Sequence, residues 1–151
     1  MDSSELNRIV EKYVGIPFKD HGDTFDGCDC YGLVKLIYRE EFGLHLPEVG
    51  DLYTSAYQRH QVDNTVSAHI NYDWCKKVQT GEQYNPFDML VFRIAGTDHH
   101  VGLYIREGFM LHVIEGSDSG VERYTGIRWG RQLHRVIRHK VYEQRINGGS
   151  L

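Results

Sequence analysis

No apolar run in this sequence approaches the roughly 20 residues that cross a bilayer, so no membrane insertion is expected. The opening Met1-Asp2-Ser3-Ser4-Glu5 is acidic and lacks the apolar stretch of a secretory signal. A chain made in the cytoplasm without a signal peptide is the expectation. Proline occurs only three times in 151 residues, while ten Tyr and six Phe favour β-structure over linker. Cysteine also occurs three times, and an odd count in a reducing compartment argues against a disulfide framework. Zinc sites announce themselves as two pairs spaced C-x-x-C or H-x-x-x-H, whereas here Cys28-Asp29-Cys30 and a lone Cys75 occur. No metal and no organic cofactor are expected. Internal repeats and low-complexity tracts are missing too.

What is present is one ordinary domain, long enough to bury roughly two-thirds of its unfolded surface. We place a single domain at 1–146 and a flexible tail at 147–151. The net charge of −4 hides an asymmetry: residues 123–145 carry seven Lys or Arg against Glu143 alone. Such a stretch can meet phosphates or an anionic surface. Its alternation from Leu133 to Tyr142 instead reads as one strand with a solvated basic face, so no nucleic acid is required.

Leu6, Ile9, Val10, Tyr13 and Val14 fall at helical spacing behind an Asp-Ser-Ser cap. A Gly- and Asp-rich loop follows from Ile16 to Asp29. A second helix begins at or near Cys30 and stops at Gly43. Residues 48–85 are less legible, with a short helix expected after Asp51 and another over 66–78. After Asn85-Pro86 the period switches to two, giving strands at 88–94, 100–106, 109–115, 120–124 and 133–142. Helices first and a strand meander last predict an α+β domain. At the hairpin Arg106-Glu107-Gly108, one register keeps Val101, Leu103, Ile105, Phe109, Leu111 and Val113 on a common apolar face. That register sets Gly102 opposite His112 and makes His100 and His112 diagonal neighbours on the other face.

Cys30 is the sharpest chemical feature. A thiol in the first turn of a helix feels unpaired N–H groups and the positive end of the helix dipole, which favour thiolate. Gly32 just beyond it lets another segment pack close. The common alternative is a buried structural cysteine. A nucleophilic thiol needs a base, and the base an orienting partner. His100 and His112 share a face and fit that need. His99 is the competing base, although its alternation points it away from His112. Hydrogen-bonded surface histidines are the plain alternative.

Several runs together resemble one family. They are Tyr13-Val14-Gly15-Ile16-Pro17-Phe18, Asp29-Cys30-Tyr31-Gly32-Leu33-Val34 and Leu44-His45-Leu46-Pro47, then Asn85-Pro86-Phe87-Asp88 to Phe92, His100-Val101-Gly102-Leu103-Tyr104 and Phe109-Met110-Leu111-His112. Over about half the chain their order and spacing resemble the NlpC/p60 cysteine peptidases. The resemblance implies a papain-like α+β fold, with the cysteine at a helix start packed on a C-terminal antiparallel sheet. It implies Cys30 as nucleophile, His100 as base, His112 as the residue orienting it, and substrate contacts at Asp29 and Tyr31. Phe18 stands where the family usually has Tyr, and Tyr31 where Ser is common. The implied substrate is a peptidoglycan stem peptide cut between γ-D-Glu and the next diamino acid. Gly-Cys-Asp-Cys before an aromatic residue is most similar to the group encoded by tailed phages. That similarity implies a virion component at the tail tip, with tail proteins as partners. A non-catalytic structural or docking subunit of such a tail is the alternative, with 48–85 and the basic last strand as docking surfaces. A metal-binding regulator using Cys28 and Cys30 is a third.

Overall fold

The computed structural model describes residues 1–47, 74–94 and 97–148. Helix α1, Ser3–Tyr13, starts where the Asp2 carboxylate accepts the Glu5 N–H at 2.8 Å. It buries Ile9, Val10 and Tyr13, the face that the apolar spacing marks. Helix α2, Cys30–Phe42, ends at Gly43, whose φ of 63° is the left-handed conformation a helix stop needs. Every residue of α2 from Gly32 to Tyr38 is buried, so this is the central helix. The loop before it is not bare: β1, Asp23–Thr24, and β2, Gly27–Cys28, form a small antiparallel hairpin.

Six further strands make one antiparallel sheet. They are β3 (Cys75–Lys77), β4 (Met89–Ile94), β5 (Thr97–Arg106), β6 (Phe109–His112), β7 (Gly120–Arg123) and β8 (Leu133–His139). Their spatial order is β3-β8-β4-β5-β6-β7. With the helices it gives the α+β class that the meander predicts. In the β5–β6 hairpin, Leu103 faces Leu111 and Tyr104 faces Met110, with an irregularity before Arg106 and Gly108 at φ 86°. This is the register that the apolar set demands. Leu103, Ile105, Leu111 and Val113 join Met89, Val91 and α2 in the main core. Leu90, Phe92, Met110 and Val136 form a second cluster with Tyr124 and Trp129.

The last strand departs from expectation. It stops at His139, and helix α3 runs Lys140–Asn147 where the alternation predicts strand through Tyr142. The His139 ring makes the switch, its Nδ1 accepting the Val141 N–H at 3.1 Å and the Tyr142 N–H at 3.4 Å. Nor is β8 a solvated strand. It lies between β3 and β4 and is buried from Val136 to His139, because an interior strand has both edges paired and helices pack over it. The strand β3 falls where a helix over 66–78 is expected. Its single buried Cys75 gives too short a pattern to tell strand from helix. The rest of that expectation, and the helix after Asp51, lie outside the described residues, as does the tail beyond residue 148. No helix among the described residues is long and apolar enough to cross a membrane.

Candidate active site

Cys30 opens α2 and is partly exposed. Asp29 holds that helix end in place. Its carboxylate accepts the Gly32 N–H at 2.6 Å and, through the second oxygen, the His21 N–H at 3.1 Å. Gly32 fits because a Cβ there would run into the Gly22 carbonyl oxygen, which accepts the Asp29 N–H. The close approach expected of this glycine is therefore made by the β1 side of the preceding loop. The other two thiols are unlike Cys30. Burial, with the neighbouring Asp29 charge, pushes Cys28 up to about 12. Burial pushes Cys75 up to about 11. Both are held as neutral thiols.

The α2 helix packs against β5, the strand that carries His100. His100 Nε2 lies 2.9 Å from His112 Nδ1, and both residues are buried. His112 Nε2 in turn lies 2.8 Å from Glu122 Oε1 on β7. Three adjacent strands thus carry one hydrogen-bonded chain across the sheet. Gly102 keeps the space open: a Cβ there would stand 2.7 Å from Met110 Sδ and 3.3 Å from His112 Cβ. Trp129, from the segment between β7 and β8, covers the rings. Its indole stacks on His100 at 4.6 Å and 21° and meets His112 edge-on at 5.5 Å. The Arg128 guanidinium sits 5.1 Å from the indole centroid. Burial holds His112 below the usual imidazole range, against the pull of the Glu122 carboxylate and with a smaller push from Arg128.

A family comparison assigns this fold. The model of the NlpC/P60 family matches residues 15–138. The chain belongs to the NlpC/P60 family. Among its relatives, the murein DD-endopeptidase MepS/murein LD-carboxypeptidase of Escherichia coli K12 is 31% identical over 135 residues. That alignment takes in 87% of this chain but only 62% of the relative. An NlpC/P60 family protein from Bacillus cereus superposes with a TM-score of 0.65 at 20% identity, over 92% of this chain and 40% of that one. RipD of Mycobacterium tuberculosis, described as a non-catalytic NlpC/p60 domain protein, superposes with a TM-score of 0.54 at 20% identity. It covers 89% of this chain and 94% of its own.

Within this NlpC/P60 domain, the expected diagonal pair His100 and His112 is brought into direct contact. Cys30 stands at the helix start where it is expected. Asp29 is buried, and both its oxygens serve the backbone around the helix start, so its visible work is the cap. Tyr31 donates its hydroxyl to the Pro47 carbonyl at 2.7 Å and has the Lys35 ammonium 5.8 Å from its ring centre. Two residues escaped the sequence reading. Glu122 faces Met110 across the β6–β7 pair, which makes it a diagonal neighbour of His112. The alternation of β7 carried that signal. Trp129 belongs to no period at all. Among the described residues, no three His, Cys, Asp or Glu are grouped to hold a metal ion.

Proposed function

We propose that this chain is a cysteine peptidase that hydrolyses peptidoglycan stem peptides, with Cys30 as nucleophile, His100 as base and His112 orienting it. The observation that carries the reading is the buried 2.9 Å contact between His112 on β6 and His100 on β5, the strand against which the Cys30 helix packs. Family membership supports it, and so does the murein endopeptidase name of the E. coli relative.

The chemistry is acyl transfer. The Cys30 thiol gives its proton to His100, and the thiolate attacks the amide carbonyl carbon. The Cys30 N–H at the helix start stabilises the oxyanion. As the C–N bond breaks, His100 returns the proton to the leaving amine and a thioester remains. His100 then takes a proton from water, hydroxide attacks the thioester, and the proton goes back to the sulfur. The acid fragment leaves and the enzyme is restored.

The bond we assign is γ-D-Glu–diamino acid, and the setting we assign is a phage tail tip acting on a host cell wall, with tail proteins as partners. The motif Gly27-Cys28-Asp29-Cys30 before Tyr31 supports the setting. The test is digestion of purified peptidoglycan and of a γ-D-Glu-containing tetrapeptide, wild type beside Cys30→Ala, with products read by mass spectrometry. Loss of about a thousandfold or more of turnover in the variant is expected. Products cut at the D,D cross-link instead would replace the assigned bond. Binding without cleavage by the reduced, folded protein would favour the non-catalytic reading, the description given to RipD, a protein of this fold.

A further inference from the structure

We propose that Glu122 is a positioning residue that fixes the proton on every nitrogen of the His100–His112 pair and thereby leaves His100 Nδ1 as the basic atom. The inference rests on the cysteine peptidase reading for its catalytic consequence, but the proton positions are testable without it.

An ionised carboxylate only accepts hydrogen bonds. At 2.8 Å from His112 Nε2, Glu122 therefore requires the His112 proton on Nε2. His112 is buried with Arg128 nearby, and burial favours its neutral form, so it carries one N–H and not two. Its Nδ1 is then a lone pair. The 2.9 Å contact to His100 Nε2 becomes a hydrogen bond only if His100 supplies the hydrogen. A neutral His100 with its proton on Nε2 has its lone pair on Nδ1. One half-buried carboxylate, two rings away, has decided which nitrogen can take a proton from a thiol.

Without Glu122 this order is not imposed. If His112 carried its proton on Nδ1, it would donate to His100 Nε2. The His100 proton would then sit on Nδ1, where no base remains. The two arrangements have similar geometry, so ring positions alone do not choose between them; the carboxylate does. Among the described residues, the charged groups that bear on His112 are Glu122 from β7 and Arg128 beside the Trp129 indole, while α2, which begins at Cys30, packs against the His100 strand. Only Glu122 touches the outer nitrogen of His112 among the described residues.

The experiment is long-range 1H–15N correlation of the imidazoles in the full reduced chain, in wild type, Glu122→Gln and Glu122→Asp. Peptidoglycan tetrapeptide hydrolysis is followed across pH in parallel. In wild type both rings are expected with the proton on Nε2. In Glu122→Gln the amide can donate or accept, so a mixture of tautomers is expected, with His112 taking its second proton at lower pH. There kcat should fall about 10-fold to 100-fold with KM within about twofold. Glu122→Asp should restore the wild-type tautomers in the fraction of molecules where its shorter arm reaches. Unchanged tautomers in Glu122→Gln would overturn the proposal. Changed tautomers with unchanged kcat would overturn its catalytic consequence. If wild type cleaves nothing while its tautomers respond as expected, the hydrolase reading fails and the proton assignment stands.

Discussion

Both the His100–His112–Glu122 chain and the Asp88–Arg138 pair are buried polar clusters in the same sheet, but they are built for different work. Arg138 on β8 grips Asp88 with two N–H donors at 2.9 and 2.8 Å and also reaches the Gln83 carbonyl and Glu143. Lys76 closes the rim, 2.8 Å from Glu143. Burial pushes the Asp88 carboxyl up, while Arg138 and the Asn85 N–H favour its charged form. The guanidinium is held protonated by the same contact, so the pair stays ionic. No proton in that cluster has reason to move near neutral pH. The histidine chain is the opposite: two neutral-capable rings in direct contact, with burial holding His112 below the usual imidazole range, one end stacked under Trp129 and the other ending on a carboxylate with 36% exposure. Burial of polar groups therefore does not by itself mark a functional site.

The comparison can be broken in four places. The largest effect belongs to Arg138→Ala, which strands Asp88 without its counter-charge. We expect a loss of about 3–5 kcal/mol and a melting temperature lower on the order of 10 °C. The tautomers of His112 should not change. A stable Arg138→Ala protein with altered imidazole signals would show that the two clusters are one. Next comes Gly102→Ala, where the new Cβ meets Met110 Sδ at 2.7 Å. Denaturant unfolding should report about 1–3 kcal/mol lost, and hydrolysis should fall with it because His112 Cβ is the next atom displaced.

Trp129→Leu tests the seal. Roughly 1–2 kcal/mol of stability should go. More telling, His112 should titrate closer to the ordinary imidazole value, since burial is the main cause of its low position. A titration unchanged by the loss of the indole would mean that Trp129 does not keep water from the ring. His139→Asn has the smallest effect. His112 and His139 both titrate below the ordinary value of about 6.5 in the folded chain, chiefly through burial. A depressed folded value means that the unfolded chain binds the proton first. Stability is then fully present above about 6.5 and is lost as pH falls towards the folded values. Asn at 139 keeps an acceptor for the α3 cap and removes one of those protons. Melting curves at pH 7 and pH 5 should differ less for the variant, with the pH 7 values nearly equal. An equal drop in both proteins would clear His139 of any part in acid sensitivity.

How much of this was legible depended on how local the determinant is. The α2 start was readable because Asp29, Cys30 and Gly32 act within one helical turn. The β5–β6 register was readable because only one pairing keeps six apolar side chains together. The strand-to-helix switch at His139 was not, since Lys140 and Val141 continue the alternation and a capping ring decides the break. The buried state of Arg138 was hidden for a similar reason. In sequence it belongs to a basic run, and only the placement of β8 between β3 and β4 brings Asp88 to it from 50 residues away.

The sequence by itself determined the family, the α+β class, the helix that presents Cys30 and the face shared by His100 and His112. These follow from spacing within single elements or one hairpin, where backbone geometry alone dictates which side chains are neighbours. Only the tertiary structure decided that Glu122 ends the histidine chain, that Trp129 roofs it, and that the basic last strand lies inside the sheet. Each of those is a contact between elements. Such contacts are set by how strands order themselves and how loops fold back; the alternation of β7 fixes the face Glu122 occupies, but not the strand it lies beside.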